Sequence, residues 1–551
     1  IYGYAGADVI TVAVDAMQTA DVIDGGAGSD TLTISGTGTL VDADLTGVTN
    51  IEKFEHAGTS TLTTLGTQYM ESGSAEITLG AVTNGLNLDA ITNDQILNLV
   101  AGTDSVDASA MTGALNVKFA EASLDTNDTL TGGTGTADTL TITYNGTANV
   151  AGDFDNVTGF EKIVAATNAA GGVALLDAMT TAASSLELDF TALTSTVATV
   201  DMALESNAGV TLNTGGGDDV ITMTISSVGD TISSGAGADG ITTAIAQLTS
   251  ADTVNGGAGT DTLTFSDVGA IADADFTNVS NIEALTLADV TNTVWLGAEY
   301  AESGSVTITG GTGADSITLG SGVTTAQTVA LTTAGNDTVA ATGATGVITV
   351  TMDDDDLDGN DTLTGGSGSD VLSLTGGGAQ VTATEMAAVT GFENIKVATN
   401  AALDLVLNDA NTVSGVITVD ASLATSAAVT FSGKAENDGT VVYIGGGGID
   451  TVIGTDTTAT GDTIGGGAGA DVITGGAGGD TITGGAGADV FTYLATADST
   501  GTAKDSITDF TSGTDFISVV INNSTVTTAQ TYDATIQTAA AGTSAVQAGM
   551  S

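Results

Sequence analysis

The residues best suited to chemistry in this chain are aspartates that each close a glycine-rich turn. Near the C-terminus, Gly466-Gly467-Ala468-Gly469-Ala470-Asp471-Val472-Ile473-Thr474 is followed without a gap by two more nonapeptides, one with Gly475, Gly478 and Asp480, the next with Gly484, Gly487 and Asp489. All three read G-G-x-G-x-D-x-U-x, with U apolar. The hexapeptide recurs with Gly25, Gly28 and Asp30, with Gly256, Gly259 and Asp261, with Gly365, Gly368 and Asp370, at 310–315 ending in Asp315, and at 445–450 ending in Asp450. Weaker copies end at Asp8, Asp219 and Asp239, and 132–138 carries one inserted residue before Asp138. Many copies follow a degenerate one that keeps only an aspartate nine residues upstream, as with Asp21, Asp252, Asp361 and Asp462. Asp128 and Asp230 complete the set of candidate ligands. Asp315 has Val306 nine residues before it, so its site is either empty or completed differently. Carboxylates and turn carbonyls are hard oxygen donors, the ligand type that suits Ca²⁺.

Other chemistry finds little to work with. His56 is the single histidine, which leaves a zinc protease or a His-based triad without a second ligand or partner, and a stray surface position is expected for it. Neither H-E-x-x-H nor G-x-S-x-G occurs, and the absence of Cys removes thiolate and disulfide chemistry. The chain is expected not to be an enzyme. It carries 67 Asp and Glu against six Lys, a net charge of −61 that cannot be neutralised from within. Such acidity often means disorder, but 41% of residues are apolar and evenly spread, so a folded chain that takes up cations is the better reading. Nucleic acid is an implausible partner for this surface. No apolar run approaches the roughly 18 to 20 residues that span a bilayer. The chain starts at Ile1 without Met or a basic-apolar leader, which is expected of a mature or truncated product, or of export without an N-terminal signal.

The elements that must position these aspartates are short strands. Thr31-Leu32-Thr33-Ile34 and Val347-Ile348-Thr349-Val350-Thr351 alternate apolar residues with Thr, a strand period. The intervening glycines permit a tight turn with carbonyls inward. A turn and a strand every nine residues make half a coil of a parallel β-roll. Stacked coils bring the aspartates of one edge together, a repulsive row when empty and a ladder when filled by Ca²⁺, so binding and folding are expected to be linked. A second, longer repeat lays 21–79 on 252–310 without gaps at an offset of 231 residues, with Asn50-Ile51-Glu52 on Asn281-Ile282-Glu283. Phe160-Glu161 and Phe392-Glu393 match in the same way, and these recurrent glutamates read either as extra calcium ligands or as charges at the start of short turns. A fixed period points to a quasi-linear array. The expected division is a remnant at 1–20, copy 1 at 21–238, copy 2 at 239–465, and a C-terminal roll with closing and secretion segments at 466–551.

The nonapeptide resembles that of the repeats-in-toxin (RTX) calcium-binding family. The resemblance implies ions held between turns two nonapeptides apart on one edge, pairing Asp462 with Asp480 and the turn of Asp471 with that of Asp489. The tail around Asp505-Ser506-Ile507 and Asp515-Phe516-Ile517 looks like the closing segment of RTX domains exported by type I secretion. The larger unit is similar to bacterial surface-layer (S-layer) proteins of the RTX type. The fold expected is all-β, a calcium-stabilised parallel β-roll or β-solenoid in tandem copies. The function expected is a self-assembling structural protein on the surface of a Gram-negative bacterium, with several Ca²⁺ ions as cofactors and copies of itself as partners. Attachment to surface polysaccharide or lipopolysaccharide through calcium is conceivable for so acidic a chain. A calcium-rigidified adhesin stalk and the carrier portion of an upstream RTX enzyme are the alternatives. The acidic run 353–356 is expected to be solvated, with some cation uptake, and Trp295 is expected to pack in the core.

Overall fold

A computed structural model describes residues 1–519, except 58–60, 81–83, 136, 147–150, 178, 180–184, 225–227, 303–306, 332–334, 379, 412–414, 459, 496 and 501, together with 532–538 and 544–550. The chain divides into two compact units, Ile1–Thr264 with Phe276–Ile282, and Phe265–Asp275 with Glu283–Ser551. Each is a β-solenoid of short parallel strands.

In the first unit, successive coils lay one strand each into a 13-stranded parallel sheet that starts Val9–Ala13, Thr31–Ser35, Lys53–His56 and ends at Val279–Ser280. The intervening strands pair with one another, first from Thr39–Val41 to Val157–Thr158 and then from Gly171–Ala174 to Gly240–Thr243. The second unit repeats the scheme. One sheet runs from Ala284–Thr286 to Asp505–Ile507, and the intervening strands form a six-stranded sheet from Ala270–Ala272 to Val389–Thr390 and a seven-stranded sheet from Gln380–Val381 to Phe516–Val519. Among the described residues the antiparallel pairs are at the end, where Tyr532–Thr538 pairs with Ser544–Met550 and the latter with Asp505–Ile507.

Alternation decides which side chains build the core. Strand Ile348–Asp353 buries every second residue, and its Val350 lies in a column of aligned residues that continues through Leu372, Ile395, Val419, Tyr443, Ile464, Ile482 and Ile507, all 1% exposed or less. Burying each such side chain contributes about 1.5–3 kcal/mol, and in-register stacking leaves no strand of the column half covered. The same parity corrects two expectations. His56 is 1% exposed, because it shares the inward face of Lys53–His56 with Phe54. Trp295 is 53% exposed, because Val294 and Leu296 take the inward places of Thr293–Leu296.

Coil length departs from the nine-residue half coil. Equivalent aspartates lie 18 residues apart at Asp462 and Asp480 and at Asp471 and Asp489, but between 20 and 26 elsewhere. The compact roll is thus local to the uninterrupted nonapeptides, and the remaining coils carry longer turns. The long repeat has a structural counterpart. Asp42 Oδ1 accepts from the N–H groups of Gly66 (2.7 Å) and Tyr69 (2.9 Å), and Asp273 Oδ1 from those of Gly297 (2.6 Å) and Tyr300 (3.0 Å). Tyr69 and Tyr300 then donate their hydroxyls to Gln95 and Gln327 at 2.8 and 3.0 Å.

Candidate metal centre

One bond recurs at the coil edges. The backbone N–H of an aspartate donates to the Oδ1 of the aspartate one coil later, as from Asp450 to Asp471 (2.8 Å), Asp471 to Asp489 (3.0 Å) and Asp489 to Asp515 (3.1 Å). A parallel series runs from Asp462 to Asp480 (2.8 Å) and Asp480 to Asp505 (3.0 Å). In return the carbonyl of the earlier aspartate accepts from the residue after the later one, for example Asp471 from Val490 at 2.7 Å. The first unit has the same rungs from Asp8 to Asp30, Asp104 to Asp128, Asp219 to Asp239 to Asp261, and Asp230 to Asp252. The second unit adds Asp315 to Asp337 to Asp361. Asp315 is therefore completed by Asp337, a rung that lacks the glycine pattern. Sequence reading also missed Asp104, and it had not assigned Asp505 and Asp515 as rungs.

The recurrent glutamates resolve into the same series. Glu52, Glu161 and Glu393 accept through Oε2 from the N–H groups of Asp30 (2.7 Å), Asp138 (2.9 Å) and Asp370 (2.8 Å). Each stands at an aspartate position in the strand register, since Thr31 pairs with Lys53. The detectable signal is an acid two places before the first inward residue.

With Oδ1 committed to the rung, the second oxygen separates the sites. In one kind of turn the glycines at the second and fourth places are left-handed: Gly467 and Gly469 at φ +99° and +141°, Gly485 and Gly487 at +99° and +151°, Gly26 and Gly28 at +98° and +153°. There Asp471, Asp489 and Asp30 bury Oδ2 with no hydrogen-bond partner, as does Asp8 behind the left-handed Gly6. Asp239, Asp261 and Asp480 lie in turns with the same glycine pair, and Asp219 follows the left-handed Gly217. A methyl group built on Gly466 would stand 2.5 Å from Asp471 Oδ2 and 2.6 Å from the carbonyl oxygen of Gly484, so the bare first glycine leaves a cradle lined by oxygen. On Gly256 it would be 2.7 Å from Asp261 Oδ2.

In the other kind the glycines are not left-handed and the turn bonds its own aspartate. Gly133, Gly311 and Gly446 donate N–H to Oδ2 of Asp138 (2.5 Å), Asp315 (2.9 Å) and Asp450 (3.4 Å), and Gly366 does so to Asp370. The upstream aspartates are also engaged locally. Asp21, Asp128, Asp252 and Asp361 accept through Oδ2 from the N–H three residues earlier, and Asp462 and Asp230 accept from Thr455 and Thr224. Of these, Asp21 is exposed and stands apart from the rungs. In the acidic run, Asp354 is 2% exposed and its two oxygens accept from Gly377 and Gly378.

A family model of the RTX calcium-binding nonapeptide repeat, in four copies, matches residues 14–33, 249–266, 300–325, 355–378 and 456–491. The chain carries RTX calcium-binding nonapeptide repeats. No curated protein matches it. The RTX turns with left-handed glycines fit Ca²⁺ on their own chemistry, since they combine an all-oxygen donor set, a buried carboxylate oxygen without a partner and a cradle open beside it. Burial and, behind it, neighbouring carboxylates push Asp471 up to about 6, Asp480 to about 7 and Asp505 to about 8. Lysine does not relieve this. The ion pairs among the described residues are Lys53 with Glu76 and Lys162 with Glu187 and Asp189, all on outward faces. A divalent ion in the cradle would supply the missing positive charge.

Proposed function

We propose that this RTX solenoid is an extracellular structural protein, exported by type I secretion, that assembles with copies of itself into an S-layer lattice, sheet or filament on a Gram-negative cell. Ca²⁺ in the left-handed turns of Asp8, Asp30, Asp239, Asp261, Asp471, Asp480 and Asp489 sets each coil against the next. The chain itself carries no catalytic step in this reading. The observation that carries it is the recurrence of one carboxylate rung through each of the two units, which stiffens coils that could not stack alone. The two copies have also diverged on their outer faces. Trp295, half exposed, stands where the first copy has Thr64, and an exposed Trp suits a contact between molecules.

The test is electron microscopy of the purified full chain in millimolar Ca²⁺ and again after chelation. Ordered sheets or filaments that disappear with chelator are expected. Isolated rods in calcium would instead favour the adhesin stalk, and a circular dichroism spectrum unchanged by chelation would remove the calcium premise.

A further inference from the structure

A second kind of cation site is present away from the nonapeptide turns. Asp409, Glu436 and Asp438 place one carboxylate oxygen each within 4.8 Å of one another. Glu436 is fully buried, and its Oε1 accepts from the N–H groups of Asp438 (3.0 Å) and Gly439 (2.8 Å). Its Oε2 is buried with no hydrogen-bond partner. A buried charged oxygen without a partner is costly, and here it stands in a group of three acids.

The first copy shows what the same backbone does with other residues. Glu205 is equally buried, and its Oε1 accepts from Asn207 (2.7 Å) and Ala208 (3.0 Å), the counterparts of the bonds at Glu436. Asp177 accepts the Ser206 N–H at 2.6 Å, as Asp409 accepts that of Asn437 at 3.2 Å. There the likeness ends. Position 207 is Asn where the second copy has Asp438, and Ser206, in place of Asn437, gives its hydroxyl to both Asp177 oxygens at 2.9 Å. The first copy thus has one acid fewer and an internal hydroxyl donor.

The geometry points to a hard divalent cation, Ca²⁺ by its oxygen donors, held by Asp409, Glu436 and Asp438 in the second copy and absent from its counterpart in the first. Native mass spectrometry of the full chain at saturating calcium tests it by counting bound ions. D438N and E436Q are each expected to bind one Ca²⁺ fewer than the unaltered chain. D438N should fold, because Asn207 already occupies the matching place, and retention of every other ion reports that it has. N207D is expected to leave the count unchanged, since Ser206 still satisfies Asp177. Equal maximal counts for the unaltered chain, D438N and E436Q would overturn the site. A loss of several ions in both variants would overturn it too, by showing a structural role for the acids. Failure of the nonapeptide turns to bind would appear separately, as no change in count for D489N.

Discussion

The hexapeptides at 484–489 and 365–370 differ in two letters, Ala for Ser at the third and fifth places, yet they fold into different turns. At 484–489 the glycine pair is left-handed and Asp489 keeps Oδ2 free of hydrogen bonds; at 365–370 the N–H of Gly366 takes the same oxygen of Asp370. The difference lies one coil back. A methyl group on Gly485 or Gly487 would run into the carbonyls of Gly467 and Gly469, so that turn rests on another glycine turn. Gly366 rests on Ala344, Gly446 on Ala424, Gly133 on Met111 and Gly311 on Ala288. At Asp138, Asp315, Asp370 and Asp450 the glycine turn rests on a turn of another kind and closes on its own aspartate. Turns stacked on a glycine turn stay open, and so do those of Asp219 and Asp480, which rest on Thr196 and Thr455. An ion finds the second carboxylate oxygen free only in the open turns.

Chelation should break this comparison most visibly. Calcium at about 100 times its dissociation constant stabilises a folded site by about 2.7 kcal/mol, close to a hundredfold in opening equilibrium. Hydrogen exchange in Thr463–Ala468 and Thr481–Ala486 is expected to speed by about that factor when calcium is withdrawn. Strands beside closed turns, such as Val371–Thr375, should change far less. Equal acceleration in both would mean that the two turns are alike in solution.

Acidity gives the next test, and with a sign. In the metal-free fold Asp471, Asp480 and Asp505 titrate near 6, 7 and 8, above the ordinary 3.8 of an exposed carboxyl. The folded state then binds more protons than the unfolded one. Metal-free stability is therefore greatest in acid and falls as pH rises from about 4 through 8, and each tenfold gain in a carboxyl's proton affinity on folding accounts for about 1.4 kcal/mol of that fall. Calcium reverses the slope, since it requires the carboxylates deprotonated. Melting temperatures at pH 5 and pH 8, with calcium and with chelator, should cross; parallel slopes would contradict calcium uptake by these carboxylates.

Single substitutions sharpen the contrast. D489N keeps the oxygen that accepts the Asp471 N–H and places an amide where Oδ2 has no partner. It is expected to be neutral or mildly stabilising in chelator and to lose one ion in calcium. D370N sets the amide against the Gly366 N–H, leaving a partly buried donor unmet, and should cost about 1 kcal/mol whether or not calcium is present. Urea denaturation of both variants under both conditions checks the sign change.

Much of this was legible in the sequence. The nonapeptide, the parallel coil and the duplication follow from spacing alone, because the strand period and the glycine turns are local properties. What escaped depends on a partner some 20 residues away. The Asp489 turn lies on the glycine turn of Asp471, a contact made only once the chain is coiled, and Asp337 is a rung only because Asp315 precedes it in register. His56 and Trp295 were different: the parity of Lys53–His56 and Thr293–Leu296 already places one inside and the other outside.

The smallest expected effect concerns the glutamate rungs. Glu393 Oε2 accepts the Asp370 N–H at 2.8 Å, on a closed turn, so its bond serves the backbone and not an ion. E393Q can present the same oxygen and should shift stability by less than about 0.5 kcal/mol, whereas E393A strips a partly buried N–H of its acceptor and should cost about 1 kcal/mol. Neither should change with calcium. A calcium-dependent penalty for E393A would make Glu393 part of an ion site and would remove the boundary drawn between closed and open turns.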